Sequence, residues 1–148
     1  MLQSNEAVAY WLLKLGGVTL GDFTLSSGRK SPAYIDCRKL MSNPIFFTCV
    51  CCDMTEMFGY DKFDGVCGAS TAGIPFATRI ATMRTKPLTY VRKEPKGHGQ
   101  QNQIEGIMKE GQDILLVDDL TTDGTSKLEF VKAIRATGAT CNHIVSVF

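Results

Sequence analysis

The residues best equipped for chemistry lie in ILLVDDLTTDGTS, residues 114–126, where an apolar run ends in two adjacent carboxylates, Asp118 and Asp119. Neighbouring acids repel, which costs stability unless a cation or a set of hydroxyls joins them. Leu120, Thr121, Thr122, Asp123, Gly124, Thr125 and Ser126 follow, and then a helical pattern begins. A helix N-terminus offers free backbone N–H groups and a partial positive charge. Hydroxyls and a glycine around it let a phosphate come close. The acids suit a sugar diol or a metal, and the cradle suits one phosphate. A ribose 5-phosphate presents those groups in that order. A loop that merely caps a helix would account for the hydroxyls, but not for paired acids directly after an apolar strand.

A second cluster lies in YVRKEPKGHGQQNQIEG, where Arg92, Lys93, Lys96 and His98 fall within seven residues, with Gly97 and Gly99 beside the histidine. Several cations on one loop suit a polyphosphate leaving group, because they can close over it, expel water and neutralise charge as it develops. A solvated basic loop is the plainer reading. Against it, Tyr90 and Val91 end a strand that anchors the loop where a ligand would sit. GASTAG at 68–73 has two glycines but continues into Ile74-Pro75. The chain has neither a G-x-x-x-x-G-K-[ST] loop nor a G-x-G-x-x-G turn after a strand.

These clusters need elements to hold them. The pattern predicts a helix over about 5–15, with Trp11, Leu12 and Leu15 on one face. Short extended segments broken by Gly21 and Gly28 come next. A helix then starts at Asn43-Pro44, where Asn can cap and Pro suits the first turn, and runs to about Phe58. FDGVCGA reads as a strand, GIPFATRIATMR as a helix, PLTYVR and DILLV as strands. SKLEFVKAIRATG reads as a helix with Leu128, Val131 and Ile134 inward and Gly138 as its stop, and CNHIVSVF as a last strand. Alternating strands and helices predict an α/β fold with a mostly parallel sheet flanked by helices. Ligands bind beyond the carboxyl ends of such strands, and Asp118 and Asp119 stand at one of them.

The 148 residues suit a single domain, and 44% hydrophobic with 21% charged residues suit a globular one. A net charge of +1 supplies no global field for nucleic acid. No apolar run approaches the ~18 residues of a membrane span. The N-terminal segment lacks the basic start and cleavage site of a secretory signal. A cytoplasmic protein is therefore expected, with neither nucleic acid nor membrane as partner. Six cysteines stand at 37, 49, 51, 52, 67 and 141. Cys49 and Cys52 form a C-x-x-C, but no second pair or strand-to-helix turn accompanies it. Three cysteines on one apolar helix read as small core residues.

The acidic stretch LLVDDLTTDGTS is similar to the phosphoribosyl pyrophosphate (PRPP) signature of the type I phosphoribosyltransferases. RKEPKGHG and FTLSSGRKSPAYID resemble the orotate phosphoribosyltransferases of bacterial type more specifically, and VCGASTAGIPFA agrees with their pyrophosphate-side loop. The resemblance covers almost the whole chain. It implies a twisted parallel sheet with an N-terminal hood over 1–42, which helps bind the base, and an α/β core over 43–148.

The implied reaction transfers ribose 5-phosphate from PRPP to orotate, giving orotidine 5′-phosphate and pyrophosphate in pyrimidine (UMP) biosynthesis. Mg2+ would enter with PRPP, with Asp118 and Asp119 as indirect support. Asp118 and Asp119 would hold the ribose hydroxyls. Residues 120–126 would cradle the 5-phosphate, with Thr122 also near the base. Arg92, Lys93, Lys96 and His98 would meet the pyrophosphate, with Lys96 and His98 acting in catalysis. Ser70, Thr71, Ala72 and Gly73 would line the pyrophosphate side. Ser26, Tyr34 and Ile35 would lie against orotate. The basic loop would reach into a neighbouring subunit, implying a homodimer.

Some positions depart from that pattern. Many relatives carry lysines where this chain has Ser26 and Ala72, and a small residue where it has Asp123. Relatives also continue beyond the position of Phe148, so the resemblance implies a C-terminally shortened chain. Two other readings share the acidic stretch: a phosphoribosyltransferase for a different base, and a PRPP-sensing regulator without catalysis. The RKEPKGHG loop argues against both.

Overall fold

The computed structural model describes residues 5–25, 28–56, 62–94 and 102–148. Helix α1 (Asn5–Lys14) leads into strands β1 (Val18–Thr24) and β2 (Lys30–Ile35), an antiparallel pair standing apart from the main sheet. A 3-10 turn (Cys37–Ser42) then leads into helix α2 (Pro44–Glu56). The rest of the described chain runs β3 (Gly65–Ala69), α3 (Gly73–Arg84), β4 (Leu88–Val91), β5 (Ile104–Glu105), β6 (Asp113–Asp118), α4 (Thr125–Arg135) and β7 (Thr140–Ser146). The main sheet has the order β5-β4-β3-β6-β7; β4, β3, β6 and β7 are parallel and β5 is antiparallel. This is the α/β architecture expected from the alternation, with β1 and β2 as the separate N-terminal piece.

The chain builds outward from β3 to one side and then returns to add β6 on the other. The connections after β3 and β6 therefore diverge, leaving a crevice at their carboxyl ends. Both faces of the sheet are covered, so its central strands are apolar on both sides. Val66, Leu115 and Val117 face α2, α3 and the N-terminal elements, while Cys67, Ile114 and Leu116 face α4. Trp11 packs on Phe46 and Phe47 on Phe76, with ring centroids 5.4 and 4.9 Å apart, joining α1 to α2 and α2 to α3. Asn43 caps α2 as expected: its Oδ1 accepts the Phe46 N–H at 3.1 Å. Such a cap contributes about 1 kcal/mol.

One inward face differs from the expectation. Leu128, assigned to the inner stripe of α4, is 61% exposed, and Lys127 is buried instead, beside Phe130, Val131, Ala133 and Ile134. The reason lies outside the helix, in an acid at the end of β6. The extended segments around Gly21 are one continuous strand, with a register irregularity between Leu20 and Phe23. Cys51 is fully buried and all six cysteines are free. Among the described residues, no three His, Cys, Asp or Glu groups gather as a metal site, and no helix is long and apolar enough to cross a membrane.

Candidate active site

The crevice is floored where β3 and β6 end. The turn after β3 approaches so closely that a Cβ on Gly73 would collide with the Val117 carbonyl oxygen and lie 2.9 Å from Asp118 Cα. Only glycine fits there, and the contact sets the start of α3 against the acids. The Ser70–Thr71 peptide before it is cis.

Asp118 is buried, and both its oxygens are engaged. Oδ1 accepts the Asp119 N–H at 2.9 Å, and Oδ2 pairs with the Lys127 ammonium. Lys127 Nζ also donates to the Leu120 carbonyl at 2.7 Å. Asp119 is less deeply placed. Burial, and then the charge of Asp118, push its carboxyl up to about 6. The two acids also bear on Cys37, whose buried thiol is pushed up to about 12, mainly by burial.

The loop after the acids is pinned at its start. Thr121 N–H donates to the Phe148 carbonyl at 2.8 Å, and Val147 N–H to the Asp119 carbonyl at 3.2 Å. Gly124 precedes α4 with φ +77°, a left-handed conformation that disfavours other residues. Thr121, Thr122, Thr125 and Ser126 are all exposed. The N–H groups of Thr122, Gly124 and Ser126 have no acceptor among the described residues. Asp123 Oδ1 accepts the Thr125 N–H at 3.1 Å, which holds the Asp123 carboxyl below its usual range. One carboxylate thus already occupies a donor of the cradle.

A cavity of about 490 Å³ opens beside the crevice, lined by Ser70, Thr71, Ile74, Tyr90, Arg92, Lys93 and Glu94. Two of the expected pyrophosphate cations, Arg92 and Lys93, therefore share a cavity with Ser70 and Thr71 from the other loop. Ala72 is the residue that leads into α3. Arg92 is also braced: its guanidinium lies 3.4 Å from Glu105 and its N–H donates to the Gln103 carbonyl at 2.8 Å. Lys96, His98 and Ser26 lie outside the described residues.

In the N-terminal piece, Tyr34 is half-exposed and packs on Phe23, with centroids 5.6 Å apart. Ile35, the next residue, faces the opposite way and packs against the core. The structure does not bring these two side chains to one face, as expected of neighbours on a strand.

Three groups at the crevice were not foreseen. Lys127 is one. The others are Asp36 and Arg38, joined at 2.6 Å, with the guanidinium pKa raised by Asp36 first and more weakly by Asp119. Their spacing in IDCR, directly after a strand, was the available signal. For Lys127 the apolar periodicity pointed the wrong way.

The geometry provides a carboxylate and a hydroxyl cradle at one strand end, and a cation-lined cavity at the next. That can hold a phosphorylated sugar with a second phosphate group beside it. Residues 55–148 match the model of the phosphoribosyl transferase domain family. The chain is 49% identical over 147 residues to an orotate phosphoribosyltransferase of Ruegeria sp. (strain TM1040), covering 95% of this chain and 65% of that protein. It is 55% identical over 130 residues to that of Cereibacter sphaeroides (strain ATCC 17025 / ATH 2.4.3), covering 85% and 56%. The chain thus spans less than two thirds of the length of these curated relatives. The crystal structure of orotate phosphoribosyltransferase from Aeropyrum pernix superposes with a TM-score of 0.81 at 33% identity, covering 95% of this chain and 92% of that one.

Proposed function

Since this chain belongs to the orotate phosphoribosyltransferase family, we propose that it transfers ribose 5-phosphate from PRPP to N1 of orotate, releasing pyrophosphate. The observation that carries this reading is the Asp118–Asp119 pair, set at the end of β6 between the exposed hydroxyls of 121–126 and the cavity holding Arg92 and Lys93. A sugar diol, a 5-phosphate and a pyrophosphate have those three surroundings to match.

In this reading the 5-phosphate takes the N–H groups of Thr122, Gly124 and Ser126 and the exposed hydroxyls of the same loop at the start of α4. Asp119 accepts from the ribose hydroxyls and stabilises positive charge on the ring as the anomeric bond lengthens. Arg92 and Lys93 hold the departing pyrophosphate. Lys96 neutralises it and His98 is the candidate proton donor; both are assigned from the resemblance. Tyr34 offers a flat face for the base.

Mg2+, when bound, would orient PRPP and offset charge on the leaving group. The donor set suits a cation carried by the substrate: Asp118 is already paired with Lys127, and no three-ligand cluster exists among the described residues. Asp119 is the acid at the site that can support it. The six free thiols favour a reducing compartment, supporting a cytoplasmic location. We further assign a homodimer in which the basic loop of one subunit serves the site of the other.

The test is orotate consumption, followed by absorbance, with PRPP and Mg2+, and with uracil and hypoxanthine in parallel. Orotate-selective turnover supports the proposal. Turnover with another base only, or PRPP binding without turnover, moves the chain to another phosphoribosyltransferase or to a PRPP sensor.

A further inference from the structure

Lys127 occupies an inward position of α4 that an apolar residue would fill at lower cost. Its side chain is 9% exposed and that of Asp118 10%. A buried ammonium needs a counter-charge and acceptors. It finds them on two residues outside its own helix: the carboxylate of Asp118 at the end of β6, and the carbonyl of Leu120 in the loop. Its own backbone N–H donates to the Gly124 carbonyl at 3.0 Å. One residue therefore ties together the last residue of the strand, the loop and the start of the helix. These are the boundaries of the segment that forms the phosphate cradle. Because Asp118 spends one oxygen on Lys127 and the other on the Asp119 N–H, its carboxylate fixes the turn, and Asp119 is left to face the sugar.

We propose that Lys127 is a positioning residue for the ribose 5-phosphate half of the site. It holds Asp118 and the Leu120 carbonyl in place so that Asp119 and the 121–126 cradle meet the ligand together. It does not itself touch the reacting atoms. The assignment rests on the proposed PRPP site and predicts an effect confined to one half of it. The pyrophosphate side is built from the ends of β3 and β4, on Ser70, Thr71, Arg92 and Lys93, none of which is among Lys127's hydrogen-bond or ion-pair partners.

The experiment compares binding of two probes, ribose 5-phosphate and inorganic pyrophosphate, each with Mg2+, to the wild-type chain and to Lys127→Met. A hydrogen bond to a charged phosphate is worth ~10–100-fold in affinity. Ribose 5-phosphate affinity is therefore expected to fall ~10–100-fold, with pyrophosphate affinity held within about twofold. Equal loss of both would make Lys127 a general structural residue and overturn the proposal. So would unchanged ribose 5-phosphate affinity in a folded variant. If Lys127→Met does not fold, Lys127→Gln, which keeps a donor for Leu120 but no charge, is read by the same two affinities. A wild-type chain that binds neither PRPP nor ribose 5-phosphate would instead remove the functional reading beneath.

Discussion

Asp118 and Asp119 are adjacent in the chain but differ in surroundings: Asp118 is buried in an ion pair with Lys127, while Asp119 makes no ion pair among the described residues, interacts only weakly with the Arg38 charge, and is pushed up to about 6. The paired acids that mark this sequence are thus an unequal pair, one anchored by an ion pair and one without.

Activity should follow the proton on Asp119. An ionised carboxylate accepts from sugar hydroxyls and a neutral one does so weakly, so kcat/KM for PRPP should decline as pH falls below about 6. Asp119→Asn, slower throughout, should lack that acid limb. Folding stability moves the other way. The folded group keeps its proton up to about 6 against an ordinary 3.8, so between those values the folded chain binds more protons than the unfolded one. Its contribution is most favourable below 3.8 and is lost as pH rises to about 6. Denaturant melts of the wild type and Asp119→Asn across this window would check the sign.

Gly73→Ala should be costly. The added methyl meets the Val117 carbonyl and Asp118 Cα, which are backbone and cannot step aside singly. Overpacking costs about 1–3 kcal/mol, and the strand end that moves carries the acids. Urea unfolding together with PRPP binding would show both losses. An unchanged midpoint would mean that the β3–α3 turn has slack that the structure does not show.

Lys96→Ala is expected to lower kcat ~10²–10³-fold, as loss of one preorganised charge typically does, with little change in orotate binding. If the loop serves the neighbouring subunit, mixing Lys96→Ala with Asp119→Asn chains should regenerate activity, because a hybrid dimer holds one intact site. Mixed chains that exchange subunits yet stay inactive would place the loop in its own subunit's site.

Thiol chemistry should map the core. Burial pushes Cys37, Cys51 and Cys67 up to about 12. Alkylation of the native chain near pH 8, read by mass spectrometry, should mark the half-buried Cys49 and Cys52 first. Early labelling of Cys37 would contradict its place beneath the acids.

The elements that hold the site could be read where apolar runs meet glycine and proline. GIPFATRIATMR forms a helix over that span, Gly73–Arg84, and Asn43-Pro44 opens α2. The 3-10 turn Cys37–Ser42 and the two-residue β5 could not, since neither has a periodicity long enough to register. Lys127 was invisible for a different reason. Periodicity assigns charged residues outward, and what draws this one inward is Asp118, nine positions earlier on another element. The signature at 118–126 announced a phosphate site, but its bracing depends on tertiary contact.

The Gly73 contact has a further consequence. It brings the first turn of α3 against the end of β6, while α4 begins a few residues beyond the same strand. Two helices on opposite faces of the sheet thus start at one crevice, each contributing about half a positive charge from its peptide groups. This part of the anion-attracting field belongs to the main chain. No single side-chain replacement can delete it and no pH change in the working range can titrate it, so this part of the attraction for phosphate remains with Ser26 and Ala72 standing where lysines would add to it.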